Sequence, residues 1–368
     1  MKRIVIDARE YPTSTGRYIR KLLEYLEKID GNATDREYIV LLYPKDLDAY
    51  QPVAKNFSKI AADFKEFTFA EQFPFLRLIR NLKPDLVHFA SVQQPIFYHG
   101  RVVTTLQDFT TLRFNNPSKN IVVFKFKQLV YFFVNIIASV KSKALITPTE
   151  FVKNDAVRLL KSNPKKITVT LESADKIAAR AEPFTPLKNK QFLMYVGRSL
   201  PHKNLERLMD AFKILQRTHP DLKLVLVGKK DHLMERHLNY ASKHGINGVE
   251  ATGYVSEGQL KWLYQNTACY CFPSLSEGFG LPGLEAMMHG APVASSNATC
   301  LPEVHGTAVY YFDPLNVEDM ASKINEVLTD ETLRSDLIKK GAEQVKKFSW
   351  ERMATQTLEV YKNTLSSA

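Results

Sequence analysis

Cysteine is scarce in this chain: Cys269, Cys271 and Cys300 are the only three in 368 residues. An odd number without metal-ligand spacing excludes a disulfide framework and a zinc site, and fits a reduced compartment. Cys269 and Cys271 are expected as small core residues on opposite faces of one strand. Acidic residues are outnumbered, with 39 Asp and Glu against 50 Lys and Arg, a net charge of +11. Glycine triplets are missing too: Gly16 stands alone where the dinucleotide fingerprint G-x-G-x-x-G needs three. The N-terminus Met1-Lys2-Arg3-Ile4-Val5-Ile6-Asp7 meets an acid after three apolar residues, unlike a signal peptide. No apolar run is expected to approach the roughly 20 residues of a membrane span. There is no arginine-rich tract and no internal repeat, so neither a nucleic-acid partner nor a solenoid is expected.

What is present centres on Tyr270 to Met287. An apolar strand ends at Pro273, a turn holds Gly278 and Gly280, and Pro282 opens a helix, where its missing N–H costs nothing. The N–H groups of Phe279, Gly280 and Leu281 then lie at a helix N-terminus, a place that attracts phosphate. Two carboxylates flank it. Glu277 and Glu285 are poor phosphate ligands but good acceptors for sugar hydroxyls. Glu285 suits the hydroxyls of a ribose, and Glu277 those of a second sugar across a diphosphate. Two solvated glutamates beside an ordinary helix start is the plain alternative.

The run Glu277-Gly278-Phe279-Gly280-Leu281-Pro282, with Glu285 and Ala286, resembles the E-G-F-G-L-P-x-x-E-A motif of the family-4 retaining glycosyltransferases. The resemblance implies an α/β chain of GT-B fold: two Rossmann-like domains with parallel sheets facing across a cleft that holds a nucleotide sugar.

The rest of the chain supports a βαβα order and parallel sheets. Lys2 to Asp7 reads as a buried strand, Ser14 to Tyr18 as a turn, and Tyr18 to Ile29 as an amphipathic helix. Gly16 resembles the glycine of the family's first loop beside the donor. Further strands are expected at 37–43, 85–90, 101–106, 144–148 and 167–171. Asp46-Leu47-Asp48 spells D-x-D, read as a solvated helix start. Gln107-Asp108 follows a strand where the family usually has His-Asp. Lys119 to Lys143 mixes aromatics with lysines. It is read as a long helix packed on the sheet with lysines outward, a membrane-surface helix being the alternative.

Residues 175–190 read as a linker, giving domains 1–175 and 176–349, with a last helix in 350–368 crossing back to the first. The first domain is the basic one, with 27 Lys and Arg against 18 Asp and Glu in residues 1–175. Gly197, Arg198, Lys203 and Asn204 match the family pattern G-R-x-x-x-x-K-N, so Arg198 and Lys203 are expected to neutralise a leaving diphosphate. Gly253 to Ser256 resembles the family turn that meets the nucleobase, which nominates Val255. His289 is read as a helix-end surface residue.

The implied activity is transfer of a hexose from a nucleoside diphosphate sugar, GDP-mannose or a UDP-sugar, to a hydroxyl of a glycan or glycolipid. General resemblance is to bacterial mannosyltransferases of cell-envelope polysaccharide. The expected catalytic set is Gln107, Asp108, Arg198, Lys203 and Glu277. The donor set is Gly16, Val255, Gly278, Phe279, Gly280, Leu281 and Glu285. No metal and no cofactor beyond the donor substrate is expected. The expected location is cytoplasmic, with peripheral contact to an anionic membrane. A GT-B epimerase, for which only Asp108 and Glu10 offer acid–base groups, and a nucleotide-sugar-binding pseudoenzyme are the competing readings.

Overall fold

Among the described residues thirteen strands form two parallel sheets, and central strands such as Phe192–Val196 and Lys223–Val227 carry apolar runs buried on both faces, as such runs are when helices cover a sheet on either side. The computed structural model describes all residues except 14–15, 115–120 and 367–368. The chain divides into two units. One holds residues 1–112, 125–172 and 349–368; the other holds 113–124 and 173–348.

In the first unit the strands are β1 (Lys2–Asp7), β2 (Arg36–Leu42), β3 (Phe57–Ala61), β4 (Leu86–Phe89), β5 (Val102–Thr105), β6 (Ala144–Thr147) and β7 (Ile167–Val169). Their order across the sheet is β3-β2-β1-β4-β5-β6-β7. The helix Arg17–Asp30 buries Tyr18, Ile19, Leu22, Leu23 and Leu26 at helical spacing. Each such side chain contributes about 1.5–3 kcal/mol of burial. The last helix, Trp350–Ser366, packs on Arg17–Asp30 and on β4, β5 and β6.

The second unit repeats the scheme with β8 (Phe192–Val196), β9 (Lys223–Val227), β10 (Val249–Gly253), β11 (Cys269–Phe272), β12 (Val293–Ser296) and β13 (Tyr310–Phe312). Its order is β10-β9-β8-β11-β12-β13. In both sheets the strand order reverses once, between β1 and β4 and between β8 and β11. Such switch points leave a crevice at the carboxyl ends of the strands, where ligands of open parallel sheets bind.

Several expectations change. Cys269 and Cys271 lie in one core cluster on the same side of the second sheet, because residues two apart on a strand share a face. The segment Ile121–Lys141 forms one helix, long and apolar enough by length and composition to cross a membrane. One long helix is expected here from the sequence, but an apolar stretch of that length is not. Nor does the helix pack wholly on the sheet: Phe126, Leu129 and Phe133 are exposed, whereas Asn135, Ala138 and Ser139 are buried. Lys119, which opened the expected stretch, lies outside the described residues. Asp46 sits in the first turn of a short 3-10 helix, Pro44–Ala49.

Candidate functional site

The second unit gathers most of the expected residues at its switch point. Beyond β8 the chain passes through Gly197 to Arg198, whose side chain is exposed and whose carbonyl accepts the Tyr195 hydroxyl at 3.0 Å. A 3-10 turn, Pro201–Lys203, then leads to Asn204 in a left-handed conformation. Buried Asn204 ties the loop down: its Nδ2 donates to the carbonyls of Pro273 and Pro314. The Leu275 N–H donates to the His202 carbonyl at 2.7 Å. The segments after β8 and β11 are thus fixed side by side.

That contact brings Lys203 and Glu277 together. Lys203 Nζ lies 2.5 Å from Glu277 Oε1, with the side chains 17% and 13% exposed. The sequence assigns these two groups to separate parts of a donor; the structure joins them. Glu277 is held from its backbone as well. Its N–H donates to Thr299 Oγ1 at 3.1 Å, and its carbonyl accepts Cys300 Sγ at 3.3 Å.

The turn after Glu277 reaches Gly280 at φ +96°, a conformation that favours glycine. Gly280 caps the helix Leu281–Met288, with Pro282 in its first turn. The first N–H groups of that helix have no acceptor within it. Behind the turn, His305 is fully buried and sits 3.3 Å from the Gly280 carbonyl. Burial pushes the His305 imidazole down to about 4, so it stays neutral and braces the loop.

Glu285 projects from the same helix. Its Oε2 accepts the Tyr264 hydroxyl at 3.1 Å. His289 is not a surface residue. It is buried and stacks on Tyr264 with ring centroids 5.4 Å apart. Its Nδ1 donates to the Glu285 carbonyl at 2.7 Å and its Nε2 accepts the Ile177 N–H at 3.1 Å. One nitrogen faces a carbonyl and the other an N–H, which defines the neutral tautomer, and burial depresses its pKa. Val255 is half-buried just before Ser256, which caps the helix Glu257–Asn266 through a reciprocal capping box.

The first unit has its own polar cluster at the carboxyl ends of its strands. A cavity of about 210 Å³ is lined by Glu10, Gln107, Asp108, Tyr131 and Asn135, among others. Asp108 Oδ1 accepts the Thr110 N–H at 2.7 Å and so shapes its own turn. Burial raises the Glu10 carboxyl. Gly16 is required by close approach: a Cβ there would lie 2.1 Å from the Glu10 carbonyl oxygen. Its neighbours Ser14 and Thr15 lie outside the described residues.

Two buried charged groups of the first unit escape sequence reasoning. Glu172 is buried beside Gln107 and in the field of Arg17, and desolvation lifts its carboxyl to about 7. At the end of β1, Arg9 is buried between Asp7 and Glu71, at 2.7 and 3.0 Å. The acids that satisfy it lie on either side of it in sequence, one of them 62 residues away. Only the polar run Asp7-Ala8-Arg9 after a strand hinted at such a cluster.

Comparison with known proteins agrees with this arrangement. Residues 178–344 match the family described as glycosyl transferases group 1. O-antigen chain mannosyltransferase B of Escherichia coli is 32% identical over 233 residues, 60% of this chain and 61% of that protein. The serotype-specific mannosyltransferase WbdA of Escherichia coli is 35% identical over 200 residues, 51% of this chain and 24% of that protein. The chain thus spans less than two thirds of these relatives. Among solved structures, sucrose-phosphate synthase of Thermosynechococcus elongatus superposes with a TM-score of 0.77 at 18% identity, covering 100% of both chains. HepE of Anabaena, solved with UDP and glucose, superposes at 0.70 and 17% identity, covering 98% of this chain and 99% of that one. The fold is GT-B, and the second unit of this chain carries a glycosyltransferase group 1 domain similar to those of bacterial O-antigen mannosyltransferases.

Proposed function

We propose that the protein is a retaining glycosyltransferase that moves a hexose from a nucleoside diphosphate sugar to a hydroxyl of a glycan or glycolipid. GDP-mannose is the favoured donor, because the relatives named mannosyltransferases share the domain; a UDP-sugar is the other donor class. The observation that carries the reading is the set of groups at the β8/β11 switch point. Arg198, the Lys203–Glu277 pair, the start of the helix Leu281–Met288 and Glu285 lie along one short stretch of fold.

Each has a chemical task. The glycosidic C1–O bond to the diphosphate breaks, and a bond from C1 to the acceptor oxygen forms on the same face. The acceptor proton leaves with the diphosphate. Charge grows on that leaving group, and Arg198, Lys203 and the helix N-terminus stabilise it. Glu277, oriented by Lys203, accepts hydroxyls of the sugar, and Glu285 those of the ribose. An oxocarbenium-like centre calls for negative potential on one face. Family resemblance alone assigns that to the backbone carbonyl of Gln107, with Asp108 beside it. The cations leave no task for a divalent ion. We place the enzyme in the cytoplasm, with the first unit serving the acceptor.

The test is a screen of nucleotide sugars by thermal shift, then transfer to an oligosaccharide acceptor with the anomer read by NMR. A donor at 100 times its Kd adds about 2.7 kcal/mol. Product with the donor's anomeric configuration supports the reading. Inverted product overturns retention. Donor binding without transfer or hydrolysis favours a nucleotide-sugar-binding protein without turnover.

A further inference from the structure

We propose that the first unit docks on an anionic lipid surface through an aromatic patch built on the helix Ile121–Lys141. The inference stands apart from the donor chemistry. It concerns the part of the helix from Lys125 onward, which belongs to the first unit.

The second half of that part is fastened to the unit. Asn135, Ala138 and Ser139 are buried; Ser139 Oγ lies 2.5 Å from Ser162 Oγ, and Lys141 Nζ donates to the Pro95 carbonyl. The other face carries Phe126, Leu129, Phe133 and Val140 in the open, Phe126 at 67% exposure and Val140 at 68%. A helix tied down along one side lies on a surface rather than through a bilayer.

The first unit exposes further aromatic side chains. Phe67, itself exposed, sits 6.1 Å from Tyr131 of the helix. Phe69 is 84% exposed. Phe73 stacks on Phe97 at 6.2 Å, and both are exposed. Phe126, Leu129, Phe133 and Val140 recur at helical spacing along one side, more than scattered surface apolar residues supply.

Charge chooses the occupant. Across 67–83, 94–101 and 121–143 there are eight Lys and Arg and a single acid, Glu71. That acid is buried and bound to Arg9. Aromatics among lysines fit the boundary of anionic headgroups and acyl chains. A second copy fits badly, since a self-complementary contact would set like charges against each other.

The test is co-sedimentation of the full chain with phosphatidylcholine vesicles, with and without phosphatidylglycerol. Binding is expected with phosphatidylglycerol only, and it should weaken with salt. Lys125→Ala and Lys127→Ala should each lower partitioning by about fivefold. Phe126→Ser with Phe133→Ser should abolish it, while nucleoside diphosphate affinity of the same variant stays unchanged by calorimetry. Absent vesicle binding, binding indifferent to these residues, or self-association that Phe126→Ser dissolves would each overturn the proposal. Nucleotide binding is read separately, so loss of the glycosyl-transfer reading leaves this result standing.

Discussion

Lys203 and Glu277 form a 2.5 Å ion pair across 74 residues of sequence, largely shielded from water. The pair couples a cation proposed for the diphosphate to a carboxylate proposed for the sugar. Neither can then be altered alone without changing the other. A double-mutant cycle of Lys203→Ala and Glu277→Ala, read by urea denaturation, should give a coupling of roughly 1–3 kcal/mol. Glu277→Ala should leave nucleoside diphosphate affinity nearly intact and lower turnover. Lys203→Ala should lower kcat more than it raises donor KM, because leaving-group charge grows in the transition state. Additive effects on stability would show that the contact is not made in solution.

Glu285 offers a cleaner binding test. One of its oxygens accepts from Tyr264, which holds the carboxylate in place. Glu285→Ala should weaken nucleoside diphosphate binding by roughly 1.5–3 kcal/mol, the worth of charge-assisted hydroxyl bonds. Tyr264→Phe should cost less, since it removes the orienting bond and not the ligand's partner. Calorimetry with the diphosphate alone decides; equal affinity for Glu285→Ala and the parent protein sinks the ribose assignment.

Much of this site was legible in the sequence because its parts are local. The strand, the glycine turn, Pro282 and both glutamates occupy one run of residues, and β1 and β8 carry the apolar runs 4–6 and 192–196. What stayed hidden is long-range or ambiguous. Nothing local shows that Lys203 meets Glu277, or that Glu172 arrives beside Gln107. Strand β3, Phe57–Ala61, alternates polar and apolar residues at the sheet edge and carries little strand signal. Pro74 lies inside the helical segment Glu71–Leu82 and masks it. The helix Ile121–Lys141 was legible as a helix, but its all-round apolar composition does not say which side packs on the unit and which stays exposed.

Gly16, expected beside the donor, also gives a stability test. A Cβ there would press on the Glu10 carbonyl at 2.1 Å and the Tyr11 carbonyl at 2.4 Å. These are backbone atoms, which do not swing aside as a flexible side chain does. Gly16→Ala should cost roughly 1–3 kcal/mol by overpacking. An unchanged urea midpoint would mean that the loop rearranges at no cost.

Arg198 and the divalent-ion question belong together. Its guanidinium is exposed at the end of β8, placed to meet an anion rather than to hold the fold. Arg198→Ala should leave the melting temperature within about 1 °C, since surface substitutions lie within ±0.5 kcal/mol. Turnover should fall at least tenfold, the equivalent of about 1.4 kcal/mol in the barrier. Chelator should leave the parent rate unaltered. Activity abolished by chelator and restored by magnesium would move the diphosphate assignment from the cations to a metal.

Glutamine at position 107 has no proton to titrate near neutral pH, yet its neighbour does. Glu172 is raised from an ordinary value of 4.5 to about 7, with desolvation outweighing the attraction of Arg17. Its folded-state pKa therefore exceeds its unfolded one. Below about pH 4 both states hold the proton and the group costs nothing. As pH rises toward 7 the unfolded chain ionises first, and folding stability is lost. Above 7 the loss levels off at about 3 kcal/mol. Glu172→Gln removes the titration. Its stability relative to the parent should therefore rise by up to about 3 kcal/mol between pH 4 and pH 8, read from urea midpoints. The turnover profile carries the same mark. An ionisation near 7 in the parent enzyme should vanish in Glu172→Gln, and Gln107→His should stay active and add an imidazole titration of its own. A stability gap that does not change with pH would place Glu172 as an ordinary carboxylate. An ionisation that persists in Glu172→Gln would assign the profile to another group.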